Sequence, residues 1–197
     1  MEKGMYLVGY MPFGYNIAAG KQQLKRKEIM QQSPTKTTLC YIEKDGKYLM
    51  LYRNKKKEDP NGGKWIGVGG KFEEGETPFE CVKREVLEET GIIIRNAHFY
   101  GVIEFRSDGW PDEDMYLFSS NDFDDSEFHP EDCCEGTLKL VPKDEILDLN
   151  LWEGDRVFLR EMLEGQDRIN LRLRYSGENL TEVVKHSCPG YPHMESE

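Results

Sequence analysis

Between Gly70 and Ile92 the chain runs GKFEEGETPFECVKREVLEETGI, a helix with both of its ends marked. Thr77 is the N-cap, Pro78 takes the first helical position, where its missing N–H costs nothing, and Glu80 completes a T-x-x-E capping box. Gly91 stands just past the last turn, where a left-handed residue is wanted. At about 3.6 residues per turn, Phe79, Val82, Val86, Leu87 and Thr90 gather on one side as the expected core face. Glu85, Glu88 and Glu89 fall within an arc of about 100° elsewhere on the cylinder.

Three carboxylates so close repel one another, and like charges four residues apart weaken a helix. Lys83 and Arg84 offset only part of this. A chain tolerates such a cluster on a solvated acidic face, the common explanation of a charge run, or where a cation resolves it. Carboxylate oxygens in this number suit a hard ion such as Mg²⁺ or Mn²⁺. The helix also follows directly on a strand ending in Gly69-Gly70, and paired glycines let backbone groups come close to an ion or a phosphate.

Working outward, Thr37 to Glu43 (TTLCYIE) and Lys47 to Arg53 (KYLMLYR) read as strands joined by an Asp45-Gly46 turn. Asn54 to Gly63 is a polar loop with three consecutive lysines, and Trp65 to Val68 is a short strand. Beyond the helix, Ile92 to Ile94, Phe99 to Phe105, Met115 to Ser119 and Leu138 to Val141 read as strands. Pro142 to Leu147 begins a short helix and Asp155 to Leu163 forms an amphipathic one. Ile169 to Tyr175 and Leu180 to Val184 form a hairpin turning at Ser176-Gly177-Glu178. This order predicts a mixed sheet between helices, with α/β or α+β layering.

The 197 residues, 38% of them hydrophobic, allow one domain with a sizeable core. A net charge of −11 argues against binding a nucleic acid polymer or an anionic membrane, and it leaves room for a small polyphosphate with a cation between. Five cysteines, an odd number without CxxC spacing, speak against a disulfide framework or zinc site and for a reducing cytoplasm. The adjacent Cys133 and Cys134 read as two small loop residues. The four histidines are scattered and suggest no site. No run of eighteen apolar residues is long enough to span a membrane.

Residues 1–36 are expected to be an N-terminal extension, 37–185 the domain, and 186–197 a loose tail. Met5 to Gly20 does not make a signal peptide, because Pro12, Gly14 and Asn16 interrupt its apolar centre and the basic cluster follows it. Lys25 to Glu28 can be encoded by purines alone, like a translated ribosome-binding site, so the native start is expected at Met30.

The Gly70–Ile92 segment resembles the Nudix box, G-x5-E-x7-R-E-U-x-E-E-x-G-U with U aliphatic. Gly70, Glu76, Arg84, Glu85, Val86, Glu88, Glu89, Gly91 and Ile92 match it at every specified position, a far more specific signal than a short glycine motif. The resemblance extends over roughly Thr37 to Val184. It implies an α/β/α sandwich and hydrolysis of a nucleoside diphosphate linked to another moiety. It also implies that Glu85, Glu88 and Glu89 bind divalent ions, with the Gly69 carbonyl as a further ligand and Arg84 orienting a glutamate.

WIGVGGK at Trp65–Lys71 and LNLWEGDRVF at Leu149–Phe158 resemble the MutT-type branch that removes 8-oxo-dGTP. That resemblance implies Glu135 as a metal-holding loop glutamate, with Glu131 as the alternative. It implies Trp152 and Asp155 at the purine. Arg53, Ile66 and Lys71 complete the candidate substrate contacts. There are two departures. Relatives that read 8-oxoguanine most tightly have an asparagine where this chain has Ile66, and a second aspartate where it has Gly154. Ile66 implies a more permissive, apolar base pocket. A Nudix hydrolase of another nucleotide stays open on this reading. A binding-only module would be expected to lose box glutamates, and this chain keeps them all.

Overall fold

The computed structural model describes residues 33–130 and 133–186. The expected start at Met30, the alternative loop glutamate Glu131 and the tail beyond His186 lie outside the described residues.

Strands β1 (Thr35–Lys44) and β2 (Lys47–Tyr52) form a hairpin. Asp45 and Gly46 both have positive φ, 52° and 71°, as a two-residue turn between twisted strands requires. Short β3 (Trp65–Ile66) pairs with the far end of β2, after which the chain crosses to β1. There Val68 and Cys40 exchange backbone hydrogen bonds at 2.7 and 3.0 Å, and Thr38 N–H donates to Gly70 O at 2.8 Å. Helix α1 spans Pro78–Thr90, with the Thr77–Glu80 capping box formed and Gly91 left-handed at φ 74°.

Strand β4 (Ile93–Ser107) follows α1 and β5 (Glu113–Asp124) returns against it. The sequence splits β4 into two pieces, whereas the structure has one strand of 15 residues. Register shifts around Asn96 and between Phe99 and Gly101 carry it through polar Arg95–His98, where alternation breaks. Strand β6 (Thr137–Pro142) lies along the second edge of β2, and a 3-10 helix covers Lys143–Asp148. Helix α2 spans Glu153–Leu163, and β7 (Leu171–Ser176) and β8 (Asn179–Lys185) close the chain as a hairpin. The sheet order is β3-β2-β1-β5-β4-β7-β8, with β6 on β2. The β1–β5 and β4–β7 pairs are parallel.

Each face of the sheet carries a core. Leu39, Tyr41, Tyr48 and Met50 pack with Phe158, Leu159 and Met162 of α2. Cys40, Ile42, Leu49 and Leu51 pack with Val82 and Val86 of α1. Alternate residues of β1 and β2 therefore serve opposite layers. Both strands read as continuous apolar runs because both of their faces are covered. This is the α/β/α sandwich. No helix among the described residues is long and apolar enough to cross a membrane.

One core assignment fails. Leu87 is 47% exposed, although Val82, Val86 and Thr90 are buried with Cys81. One residue on from Val86, Leu87 is rotated by about 100° from it and lies at the border of the face. Cys81, outside the expected face, is covered because the glycine segment passes over it, with its thiol 3.6 Å from Thr38 Oγ1.

Candidate active site

The glycine segment seats α1 against the start of β1. A Cβ added at Gly69 would stand 2.2 Å from Thr38 O, and one at Gly70 would stand 2.5 Å from the Glu85 carboxylate. Only a bare backbone lets this turn lie between β1 and the acidic face. The same approach puts Gly69 N–H 3.2 Å from Glu89 Oε2.

The three helix glutamates differ in burial for a geometric reason. Measured from the direction of Val82 and Val86, the angle grows from Glu89 through Glu85 to Glu88. Glu89 is half-buried beneath the glycine turn. The Glu85 side chain is 15% exposed and that of Glu88 60%. Burial, and then the charge of Glu85, push the Glu89 carboxyl up to about 7 despite the Gly69 N–H that favours its ionised form.

Arg84 ties the box together. Its Nε and Nη2 donate to the two oxygens of Glu76 at 2.7 and 3.0 Å. Nη1 reaches Glu85 at 2.9 Å and Glu88 at 3.1 Å, and Nη2 also donates to Lys71 O at 3.0 Å. A planar fork of fixed donors suits this task as a lysine could not. Hydrogen bonds from Arg84 hold the Glu76 carboxyl down at about 2. Glu76 is a box residue whose structural role spacing alone does not show.

Glu135 precedes β6 and points across the loop after β2. It is ion-paired to Arg53 and Lys56, and Arg53 Nε also donates to Asp59 at 2.7 Å. The charges of Arg53 and Lys56 also favour the ionised form of Glu89. With Glu85 and Glu88 turned to Arg84, and Glu135 to Arg53 and Lys56, no three His, Cys, Asp or Glu side chains stand at metal-ligand spacing among the described residues. The donor chemistry nonetheless fits a hard divalent ion. The half-buried Glu89 and the adjacent Glu85 carboxyls offer oxygens beside the Gly69 backbone.

A second constellation lies at the start of α2, on the other face of the sheet. Trp152 Nε1 donates to Asn61 Oδ1 at 2.9 Å, and Lys64 Nζ stands 4.8 Å from the Trp152 ring centroid. Asp155 is 8% exposed, and burial followed by the charge of Glu113 pushes its carboxyl up to about 7. Trp152 and Asp155 thus come together. Ile66 does not join them: it packs in the α1-side core, whereas its neighbour Trp65 packs on the α2 side. Lys71 bridges the two regions, paired with Thr37 on β1 and acting on Glu113. Glu113, Lys64 and Asn61 carry no motif and come into the site through sheet register and loop packing alone.

The NUDIX domain family matches residues 34–162. An uncharacterized Nudix hydrolase of Bacillus subtilis, YvcI, is 31% identical over 150 residues, covering 73% of this chain and 88% of that one. The oxidized purine nucleoside triphosphate hydrolase of Danio rerio is 30% identical over 150 residues, covering 76% of this chain and 90% of its own. A MutT protein from Bacillus halodurans superposes with a TM-score of 0.67 at 26% identity, over 77% of this chain and 97% of that structure.

Proposed function

This chain belongs to the Nudix family as a MutT-type hydrolase of nucleoside diphosphate-linked substrates, and from that premise we propose that it hydrolyses oxidised purine nucleoside triphosphates, 8-oxo-dGTP foremost, to the monophosphate and pyrophosphate. The observation that carries this reading is the pairing of a box site at Glu85 and Glu89 with an aromatic-and-carboxyl site at Trp152 and Asp155. The name borne by the Danio rerio relative agrees with it. The role is nucleotide-pool sanitation, which protects DNA from damaged precursors.

Nudix hydrolases generally use divalent metals, and Mg²⁺, with Mn²⁺ as a substitute, is the ion proposed here. Glu85, Glu88, Glu89 and the Gly69 carbonyl would hold it, with Glu135 joining from its loop. Such an ion neutralises phosphate charge and makes water more acidic. Arg84 keeps Glu85 and Glu88 in place through charge-assisted hydrogen bonds. Arg53 and Lys71 meet the phosphates. Glu135, exchanged off Arg53 and Lys56, takes a proton from the attacking water at its carboxylate. Trp152 stacks on the purine, worth about 1–3 kcal/mol, and Asp155 binds its edge.

The position of Ile66 favours a second reading. A residue packed in the α1-side core contributes no hydrogen bond to a base, so another nucleoside diphosphate-linked substrate remains the alternative. The test is kcat/KM with Mg²⁺ across 8-oxo-dGTP, dGTP, 2-hydroxy-dATP, a dinucleotide polyphosphate and a nucleotide sugar, with Glu89→Gln as control. A preference for 8-oxo-dGTP over dGTP of about tenfold or more, ~1.4 kcal/mol, is expected. A different preferred substrate, still abolished by Glu89→Gln, selects the alternative.

A further inference from the structure

The loop that leaves β2 joins the two halves of the site. Its start is tied to the Glu135 loop. The Asn54 and Thr137 side chains share hydrogen bonds of 3.1 and 3.3 Å, and Lys55 Nζ donates to Cys133 O at 2.7 Å. Its end is tied to the segment before Trp152. Asn150 Nδ2 donates to Gly63 O at 2.8 Å, and Trp65 N–H to Asn150 O at 3.0 Å. Backbone alone closes the neck, with Arg53 N–H on Lys64 O at 2.9 Å and Gly63 N–H on Arg53 O at 2.7 Å.

Within this closed loop lies a carboxylate that closure does not require. The Asp59 side chain is 3% exposed, and an acid is seldom covered so fully unless it is paired. Its Oδ2 accepts from Arg53 Nε at 2.7 Å and its Oδ1 from Asn61 N–H at 2.9 Å. Each partner has a second task. Another nitrogen of the Arg53 guanidinium meets Glu135. Asn61 Oδ1 accepts from Trp152 Nε1 at 2.9 Å. A continuous chain of contacts, Glu135–Arg53–Asp59–Asn61–Trp152, therefore runs from the box side of the site to the base side. Hydrogen bonds to an ionised carboxylate are the strong kind, and a covered setting strengthens them further.

We propose that Asp59 is a positioning residue that couples the two ends of the substrate site. Through Arg53 it aims the guanidinium at the phosphate chain, and through Asn61 it fixes the Trp152 indole against which the base stacks. The phosphate role of Arg53 and the base role of Trp152 rest on the function proposed above. Asp59 sets the distance and angle between the groups that touch substrate. A substrate carrying both a base and a phosphate chain gains from the coupling. One without a base gains only at the Arg53 end.

The test sets dGTP beside 2-deoxyribose 5-triphosphate, in which a hydroxyl replaces the base. In Asp59→Asn one acceptor oxygen becomes an amide donor. The ratio of kcat/KM for dGTP to that for the baseless triphosphate falls about tenfold, within the contribution of one stacked base. Asn61→Ala keeps the backbone N–H on Asp59, removes the acceptor for Trp152, and lowers the ratio as far. Asn61→Asp returns an oxygen to that place and recovers most of the ratio. A merely structural role lowers both substrates alike, so an unchanged ratio in Asp59→Asn overturns the proposal. The indole N–H signals of the three tryptophans in a ¹H–¹⁵N spectrum give a readout without turnover. The Trp152 signal, identified by its loss in Trp152→Phe, moves upfield in Asp59→Asn and in Arg53→Lys as its hydrogen bond to Asn61 loosens. A Trp152 signal unmoved in either variant overturns the proposal even if triphosphates turn over. If no triphosphate turns over, the triphosphate reading falls, and a signal that moves in both variants still upholds the coupling.

Discussion

Arg84 grips Glu76 through two parallel hydrogen bonds, 2.7 Å from Nε and 3.0 Å from Nη2, across the eight residues that separate the loop from the first turns of α1. The remaining donors of the same guanidinium reach Glu85, Glu88 and Lys71 O. One side chain therefore fixes the loop, the acidic face and the end of the glycine segment at once. Arg84→Lys keeps the charge but loses the fork. A fall in kcat of about 10²-fold is expected, within the range for a residue that positions catalytic groups, with Tm nearly kept. Steady-state kinetics beside a melting curve check it, and near-normal kcat would show that the charge alone suffices.

Gly69→Ala places a methyl 2.2 Å from Thr38 O, and backbone cannot move aside as a side-chain tip can. A loss of about 2–4 kcal/mol in urea denaturation is expected, the range for overpacking against a fixed wall combined with backbone strain. A Gly69→Ala protein of wild-type stability would show that the turn can be rebuilt.

Val86 and Leu87 are neighbours with opposite fates. Val86→Ala opens a space in the α1-side core, and a cost of about 1–3 kcal/mol is expected. Leu87→Gln changes a side chain at the border of the face and should stay within about 0.5 kcal/mol of wild type. Equal losses would place Leu87 in an interface that the isolated chain does not display.

Asp155 makes stability depend on pH. Its carboxyl is raised from the ordinary aspartate range near 4 to about 7. Between those values the unfolded chain has released this proton while the folded chain retains it. The stability contributed by the neutral form is therefore lost as pH rises through that window, then levels off. Asp155→Asn removes the penalty, with a ceiling on the order of 4 kcal/mol. Denaturation midpoints should show the variant gaining on wild type at pH 8 and much less at pH 5. The same gain at both pH values would assign the effect to packing.

The sequence by itself determined the parts whose causes are local. The Thr77–Glu80 box, Pro78 and Gly91 bound α1 because capping and left-handed termini involve residues a few positions apart. Fixed spacing around the helix marked Glu85 and Glu89 in the same way. Asp45-Gly46 set the first hairpin. The tertiary structure decided what depends on contact between distant segments. Helix α2 begins at Glu153, two residues before the apolar pattern starts, because Tyr175 caps the Gly154 N–H from β7. Strand β4 is continuous because bulges pair its polar middle with β5. Leu87 is exposed and Cys81 buried because the glycine segment covers one edge of α1 and not the other. Glu113 reads as one acid in the run Asp112-Glu113-Asp114. Parallel pairing of β1 and β5 sets it opposite Thr35, and only in the folded chain does its charge raise the Asp155 carboxyl. Local hydrogen bonding and helical periodicity are written in neighbouring residues, while register, burial and the charge one side chain imposes on another arise only when the layers close.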